Sequence, residues 1–308
     1  MPVGSLPSNS ICVDLWTLHM PVRPQFAVNL PSRKLLLGKR TLIMGVLNVT
    51  PDSFYDGNRY FRLCDAVARG MQMVEEGADL IDIGGESTRP PHREVLPAVE
   101  EIRRVVPVIE ALKNRVKVPI SIDTYRALVA EAAVAAGAEI INDIGGFRLD
   151  RQLPALAARE KTGVILMHSR GKATSMHSLP PIKSVVRAVT ESLERSIKRA
   201  IQAGVRREQL IVDPGLGFGK RAEENWILLK NLARFQLFGL PLLVGASRKS
   251  FIGEFLKEPV EGRLLGSLAC AASAILSGVH ILRVHDVKET VQIAKVCDRM
   301  MQSAEIPQ

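Results

Sequence analysis

Hydrophobic and polar residues alternate in blocks along this chain, and the blocks follow one another in a regular order. Eight short apolar runs predict buried strands: Leu42–Leu47, Leu80–Ile83, Pro119–Ile122, Glu139–Ile141, Gly163–Met167, Gln209–Val212, Leu242–Gly245 and His280–Val284. Between and after them lie eight stretches with helical periodicity: Leu63–Glu76, Val95–Lys113, Tyr125–Ala136, Asp150–Glu160, Ile182–Ala203, Glu223–Phe235, Lys249–Ser277 and Val287–Gln302. The pattern therefore predicts eight strand–helix units.

Strands that alternate with helices favour parallel pairing through crossover helices. Eight such units match a closed (β/α)8 TIM barrel, an α/β fold of about 250 residues. A doubly wound open sheet gives the same alternation, so periodicity leaves it as the rival fold. We predict one barrel domain over residues 39–304. Residues 1–38 are rich in proline and without a clear period, and we interpret them as an N-terminal extension that lacks a core of its own.

Composition and charge narrow the class of protein. The 308 residues are 46% hydrophobic and carry a net charge of +9, but the basic residues are scattered over predicted helical faces. We therefore interpret most of this charge as solvated helix surface, and we expect small-molecule substrates and no nucleic-acid partner. No apolar run approaches the roughly 20 residues that cross a bilayer, so we expect no membrane partner. Four scattered cysteines suit a reducing compartment, and we expect a cytoplasmic protein.

Polar side chains follow the C-terminal ends of the predicted strands. In chain order they are Asn48, Thr88, Arg89, Asp123, Asn142, His168, Asp213, Lys249, Ser250, Arg283 and His285. A single small polar residue after a strand is often only the cap of the next helix, and we interpret Asp286 in this way. Capping does not require Lys249, Arg283 and His285 close together. Because active sites of such barrels lie at this rim, the pattern predicts a binding site there.

The predicted site has two chemical halves. One half offers acceptors for a flat heterocycle with several N–H donors, such as an aminopyrimidinone: Asp123, Asn142 and Asp213. The other half offers donors for a phosphate or pyrophosphate: Asn48, Arg283 and His285. Lys249 adds a donor for a carbonyl or a ring nitrogen. The polar loops after the first and second strands are placed to close over a second substrate and to exclude water.

Seven segments occur in the order expected of one enzyme family. They are "MGVLNVTPDSF", "GADLIDIGGESTRP", "PISIDT", "AEIINDIGG", "DPGLGFGK", "GASRKSF" and "RVHDV". Over about residues 35–300 the chain resembles the dihydropteroate synthases, of the free-standing bacterial type. The resemblance implies condensation of 6-hydroxymethyl-7,8-dihydropterin pyrophosphate with 4-aminobenzoate, a step of folate biosynthesis that sulfonamides inhibit. It also implies Mg²⁺ as cofactor and a homodimer.

The resemblance implies a role for each site residue. Pterin binding falls to Asp123, Asn142, Asp213 and Lys249, with Ile144 and Met167 lining the ring. Pyrophosphate binding falls to Asn48, Arg283 and His285, and Asn48 also to the Mg²⁺ site. The 4-aminobenzoate would be surrounded by Thr88, Arg89, Pro90, Phe218, Lys249 and Ser250. Catalytic roles are implied for Asp56, Thr88, Arg89, Asp123, Lys249, Arg283 and His285.

Two loops depart from the family pattern, and two other functions would share part of the same site. The departures lie at Tyr55–Tyr60 and Pro91–Arg93, so they bear on 4-aminobenzoate affinity and sulfonamide sensitivity. A pterin-dependent methyltransferase would share the barrel and the acceptor cluster but would not break a pyrophosphate bond. A non-catalytic paralogue that binds pterins is the other alternative. The pair Arg283 and His285 argues against both.

Overall fold

The structure, a computed structural model, describes residues 23–49, 59–86, 96–171 and 179–303. The strands within these ranges are β1 (Phe26–Asn29), β2 (Lys34–Leu37), β3 (Leu42–Asn48), β4 (Leu80–Gly84), β5 (Ile120–Asp123), β6 (Ile140–Asp143), β7 (Gly163–Met167), β8 (Leu210–Asp213), β9 (Leu243–Val244) and β10 (Ile281–Val284). The helices are α1 (Arg59–Glu75), α2 (Ala98–Lys113), α3 (Ala127–Ala136), α4 (Leu153–Glu160), α5 (Val185–Gln202), α6 (Ala222–Lys230), α7 (Ser250–Leu256), α8 (Leu264–Leu276) and α9 (Val287–Gln302).

Strands β3 to β10 form one parallel sheet that closes on itself. They pair in the order β8, β7, β6, β5, β4, β3, β10, β9, and a single parallel bridge between Val212 and Leu242 joins the two ends. Every strand from β3 to β7 pairs with the next barrel strand along the chain, β9 pairs with β10, and β10 pairs with β3, so β8 is the one strand that lacks a ladder to its successor. The predicted (β/α)8 barrel is confirmed, and the open doubly wound sheet is excluded because its edges would stay apart.

Side chains on the barrel strands alternate between two cores. Residues such as Ile81 and Ile83 of β4 point outward and pack with the helices in the larger core. Leu80 belongs instead to a second core inside the barrel, with Met44, Ile140 and other residues from its strands. The alternation places position 82 on the interior face, one layer above Leu80.

A β-hairpin covers the N-terminal end of the barrel. Strands β1 and β2 pair antiparallel, with Phe26 opposite Leu37, and Val28 and Leu35 are buried in the interior core. The sequence analysis predicted no strands in this segment, because the runs are only four residues long and lie among prolines. The hairpin keeps water from the lower end of the barrel, so the opposite rim is the open one.

The long helix predicted over Lys249–Ser277 is wrong. The chain forms α7, a short 3-10 turn and α8, and the helical segments on the two sides of the break meet at 90°. Lys257 ends α7 in a left-handed conformation with φ of 58°, and Pro259 lacks the N–H that a continuing helix needs. Within the described ranges no single helix could cross a membrane, although this bent pair reaches the length and composition of a span.

Candidate active site

A pocket opens at the C-terminal rim of the barrel. It is lined by Asp123, Asn142, Ile144, Met167, Asp213, Leu216, Phe218, Gly245, Lys249 and Arg283. The lining comes from the ends of β5, β6, β7, β8 and β10 and from the segments that follow β6, β8 and β9. The three acceptors predicted from the sequence therefore share one cavity with two cationic side chains.

Arg283 links the acceptors into one network. Its Nε donates to Oδ2 of Asp82 at 2.6 Å, and its Nη2 donates to Oδ2 of Asp123 at 2.5 Å. The side chain of Asn142 donates from Nδ2 to the same oxygen of Asp82 at 2.9 Å. Because two carboxylates surround the guanidinium, the pKa of Arg283 is raised above its ordinary value despite burial.

Asp82 is a site residue to which the sequence analysis gave no role. It lies in the middle of β4, is fully buried, and has no carboxylate oxygen exposed to solvent. A signal was present in the sequence, because an aspartate in the apolar run "LIDIG" shares the strand face of Leu80. A charged residue on the inner face of a barrel strand needs a partner, and Arg283 is that partner.

The carboxyl groups in the pocket hold their protons unusually tightly. Burial raises the pKa of Asp123 to about 7, against the opposing charge of Arg283. Burial also raises the pKa of Asp213 to about 6, although its Oδ1 accepts the N–H of Gly215 at 2.7 Å. A bound group with several N–H donors would lower both pKa values, because hydrogen bonds to a carboxylate favour its charged form. The pocket is suited to such a ligand.

The glycine-rich loop after β8 is held by a buried lysine. Lys220 donates from Nζ to the backbone carbonyls of His168, Gly215 and Phe218 at 3.3, 2.6 and 3.2 Å. Gly215 has φ of 67°, and a Cβ there would lie 2.0 Å from the carbonyl oxygen of His168. The loop presents the Phe218 ring to the pocket, where Nζ of Lys249 lies 4.0 Å from the ring centre.

The segments after β9 and β10 form the adjoining part of the rim. The hydroxyl of Ser247 accepts the backbone N–H of His285 at 3.2 Å and lies 3.0 Å from its ring Nδ1. Arg248 donates from Nε and Nη2 to the two carboxylate oxygens of Asp286, at 2.9 and 2.7 Å. Asp286 does occupy the N-cap position of α9, as the sequence predicted, but its side chain pairs with Arg248 and makes no capping hydrogen bond. This ion pair fixes the turn that carries Lys249.

The structure places two further predicted residues beside the pocket. Asn48 ends β3 next to Gly84, where a Cβ would lie 3.8 Å from Oδ1 of Asn48 and 3.6 Å from Cβ of Asp123. Ser250 begins α7 and lines a neighbouring cavity of about 260 Å³ together with Lys220. Both cavities border the glycine-rich loop after β8, so Ser250 lies near the pocket. Neither Asn48 nor Ser250 is among the residues that line the pocket.

Four predicted site residues lie outside the described residues: Asp56, Thr88, Arg89 and Pro90. The two altered loops, at Tyr55–Tyr60 and Pro91–Arg93, also fall there, apart from the backbone of the first residues of α1. Their roles stay predictions.

Fold and site together define a barrel enzyme with a pocket for a flat heterocycle rich in N–H donors. A family model described as "Pterin binding enzyme" matches residues 44–285. A dihydropteroate synthase of Escherichia coli K12 is 47% identical over 265 residues, which cover 85% of this chain and 93% of the relative. One of Synechocystis is 45% identical over 264 residues, covering 85% of this chain and 91% of the relative.

Solved structures agree with these relatives. The dihydropteroate synthase of Xanthomonas albilineans with 4-aminobenzoic acid has a TM-score of 0.84 and 41% identity, covering 91% of this chain and all of the other. The dihydropteroate synthase of Clostridium difficile in the presence of pteroic acid has a TM-score of 0.82 and 41% identity, and the match covers 87% of this chain and 99% of the other. The chain therefore belongs to the dihydropteroate synthase family of pterin-binding enzymes, and it is a transferase. This membership excludes the pterin-dependent methyltransferase that the sequence left open.

Proposed function

We propose that this chain condenses 6-hydroxymethyl-7,8-dihydropterin pyrophosphate with 4-aminobenzoate and releases 7,8-dihydropteroate and pyrophosphate. The observation that carries the proposal is the single pocket in which Asp123, Asn142 and Asp213 lie with Arg283. Similar solved structures of dihydropteroate synthases contain the matching molecules: 4-aminobenzoic acid, pteroic acid and 7,8-dihydropteroate.

In this proposal the pterin lies flat in the pocket. Its amino and ring N–H groups donate to the carboxylates of Asp123 and Asp213 and to the amide oxygen of Asn142. Ile144 and Met167, both buried around the pocket, contact the faces of the ring. A ring with three or more N–H donors matches these acceptors, whereas a purely apolar ligand would leave buried carboxylates without partners.

The diphosphate takes the cationic side of the rim. Arg283 and His285 supply donors, and Asn48 supplies an amide oxygen beside the pocket. Mg²⁺ binds with few protein ligands and keeps waters and substrate phosphates for the rest, so Asn48 fits as its protein ligand. When bound, Mg²⁺ neutralises charge on the diphosphate. Within the described residues no group of three or more acidic, histidine or cysteine side chains is placed to hold a metal ion.

The reaction then needs no nucleophile from the protein. The bond between the pterin methylene carbon and the diphosphate oxygen breaks with its electron pair leaving on the oxygen, and Arg283 and His285 stabilise the departing charge. Asp123 and Asp213 favour the cation that remains on the pterin methylene. The arylamine nitrogen attacks that carbon and then loses a proton to solvent. Phe218 and Ser250 position the arylamine, so proximity supplies the remaining acceleration.

The loops outside the described residues complete the proposed site. In the proposal Thr88, Arg89 and Pro90 bind the 4-aminobenzoate, and Asp56 takes part in catalysis.

Release of pyrophosphate tests the proposal directly. The purified chain is given the pterin pyrophosphate with Mg²⁺, with and without 4-aminobenzoate. We expect release only with 4-aminobenzoate, and one dihydropteroate for each pyrophosphate. Equal release without the arylamine would indicate a hydrolase and contradict the proposal. Pterin binding without release under either condition would identify a non-catalytic paralogue.

We also propose a homodimer that forms through α7 and α8 and acts in the cytoplasm. Phe255 of α7 is 71% exposed and Leu265 of α8 is 77% exposed, which is unusual for large apolar side chains. Cys270 and Cys297 are buried free thiols, as a reducing compartment allows. Sedimentation velocity of the wild type and of a Phe255→Glu, Leu265→Glu double variant tests the dimer. A wild-type monomer would contradict it.

A further inference from the structure

Asp82 is a buried carboxylate with an uneven set of partners. Its Oδ2 receives two hydrogen bonds, from Nδ2 of Asn142 at 2.9 Å and from Nε of Arg283 at 2.6 Å. Its Oδ1 is buried and has no hydrogen-bond partner within the part of the chain that the structure describes. Burying a carboxylate costs several kcal/mol, so the position calls for a reason beyond packing.

The first consequence concerns the amide of Asn142. A carboxylate without a proton only accepts hydrogen bonds, so the amide must turn its Nδ2 toward Asp82. The amide oxygen of Asn142 is thereby left for the pocket that this residue lines. Without Asp82 the amide could rotate and present its NH₂ group, which a pterin N–H donor cannot use.

The second consequence concerns the guanidinium of Arg283. Asp82 holds its Nε and Asp123 holds its Nη2, so two carboxylates fix the plane and the depth of the group. Asp82 is the deeper of the two, since its side chain is fully buried while that of Asp123 reaches the pocket. Nη1 is the guanidinium nitrogen that neither carboxylate engages.

We infer that Asp82 is a positioning residue that orients Asn142 toward the pterin and Arg283 toward the diphosphate through one carboxylate oxygen. It does not touch the substrate, and it acts on both halves of the site at once. This inference rests on the proposed function, because Asn142 and Arg283 are given their ligands there. It predicts that one substitution at Asp82 weakens two chemically different ligands by similar factors, whereas a substitution of Asn142 or Arg283 weakens chiefly the ligand that this residue contacts.

Separate binding of two probes tests the inference. Isothermal titration calorimetry gives the dissociation constant of 6-hydroxymethylpterin and, in buffer that contains magnesium, that of inorganic pyrophosphate. We expect Asp82→Asn to weaken each by about 10- to 100-fold, the usual effect of removing a group that orients a ligand-binding side chain. Asn142→Ala should weaken the pterin and leave the pyrophosphate unchanged, whereas Arg283→Lys should weaken the pyrophosphate more than the pterin, because Arg283 also holds Asp123. In the Asn142→Ala background, Asp82→Asn should have no further effect on the pterin.

A matched control separates positioning from stability. Asp298 is also a buried aspartate, and it accepts hydrogen bonds from Arg23 and Thr41 far from the pocket. Asp298→Asn should lower the melting temperature and leave both dissociation constants unchanged. If Asp82→Asn behaves in the same way, its role is structural and the inference is overturned.

A polarity exchange keeps the inference testable even if Asp82→Asn does not fold. Asn142→Asp alone places two carboxylates together and should weaken the pterin by about 100-fold or more. Combining it with Asp82→Asn restores one donor and one acceptor in reversed order, and should recover at least about tenfold. No recovery would overturn the inference. Turnover by the wild type tests the proposed function independently, so the two can fail separately.

Discussion

The two ends of the barrel each bury an aspartate against an arginine, and they use the pair differently. At the hairpin end, Asp298 accepts from Nη1 of Arg23 at 2.9 Å and from the backbone N–H and hydroxyl of Thr41 at 2.7 and 2.8 Å, so both carboxylate oxygens are engaged. At the open rim, Asp82 receives both of its bonds on one oxygen. The pair Arg23–Asp298 joins segments that are distant along the chain, whereas the pair Arg283–Asp82 orients side chains that face the pocket.

Burial favours the neutral form of a titratable group at both ends, but the hydrogen bonds around the two groups differ. His280 lies below the barrel, where its Nδ1 accepts the N–H of Leu242 at 3.1 Å and its Nε2 lies 3.0 Å from the carbonyl of Pro24. Burial lowers its pKa to about 4. Burial raises the pKa of Asp213 at the rim to about 6. Hydrogen bonds within the protein satisfy both ring nitrogens of the neutral His280. The carboxyl group of Asp213 faces the pocket, where a ligand with N–H donors would bind to it.

The largest expected effect comes from removing the arginine at the rim. Arg283→Ala should lower kcat/KM for the pterin pyrophosphate by about 10²- to 10³-fold, because it removes a donor aimed at developing negative charge. Steady-state pyrophosphate release measures the loss. The exposed Arg159→Ala, whose partners Glu131 and Glu160 lie on the surface, is the control. Near-normal kcat/KM in Arg283→Ala would contradict the role given to it.

The matching substitution at the other end should change stability instead. Arg23→Ala leaves Asp298 buried without its cation and should lower the free energy of unfolding by about 3 kcal/mol. Urea unfolding followed by circular dichroism measures the change, and kcat/KM at 25 °C should stay within about twofold of the wild type. A large loss of kcat/KM without loss of stability would erase the distinction between the ends.

The pH dependence of stability should have opposite signs at the two ends. The raised pKa of Asp213 means that folding disfavours its charged form, so its contribution to stability falls as pH rises from 3.8 to about 6. The lowered pKa of His280 means that the unfolded chain takes up the proton first, so its contribution falls as pH drops from 6.5 to about 4. Each contribution is at most about 3 kcal/mol.

Two variants separate these contributions. Urea unfolding of ligand-free protein between pH 4 and 7 should show a smaller decrease of stability with rising pH in Asp213→Asn than in the wild type. His280→Asn should show a smaller decrease with falling pH. Curves parallel to that of the wild type in both variants would show that neither group carries the expected charge difference.

The smallest expected effect compares the same methylene deletion at both ends. Ile281→Val, in the interior core near the hairpin, should cost about 1 kcal/mol of stability and leave kinetics unchanged. Ile144→Val, in the pocket wall, should raise the KM for the pterin pyrophosphate about fourfold, since one buried CH₂ contributes roughly 0.8 kcal/mol. Equal effects on KM would show that the pocket wall does not contact the pterin.

Much of the fold was predictable because its signals are local and repeated. Each barrel strand is an apolar run that ends in polar residues, and this pattern predicted the pocket lining around Asp123, Asn142 and Asp213. The hairpin was missed because four-residue strands among prolines leave no detectable period. The break after α7 was missed because the apolar pattern continues past Pro259, although proline cannot continue a helix.

The missing parts of the site depend on distant contacts. Asp82 belongs to the network because β4 and β10 bring it to Arg283, which is 201 positions away along the chain. Asp286 has a suitable position for a cap, but Arg248 from the preceding strand–helix unit takes its carboxylate. Local sequence cannot distinguish these cases, because the competing partner is set by tertiary packing.

The barrel closes through much weaker strand pairing at one position than elsewhere. Most neighbouring strands share three or more paired positions, whereas β8 and the segment that begins β9 share a single β-bridge, between Val212 and Leu242. Asp213 comes directly after Val212, and Lys249 lies in the segment that follows β9. The distance between these two residues is therefore set by loops and side chains rather than by a ladder of backbone hydrogen bonds. Hydrogen exchange at the amide of Val212, which donates to the carbonyl of Pro241 at 3.0 Å, therefore reports local opening of the barrel at this contact.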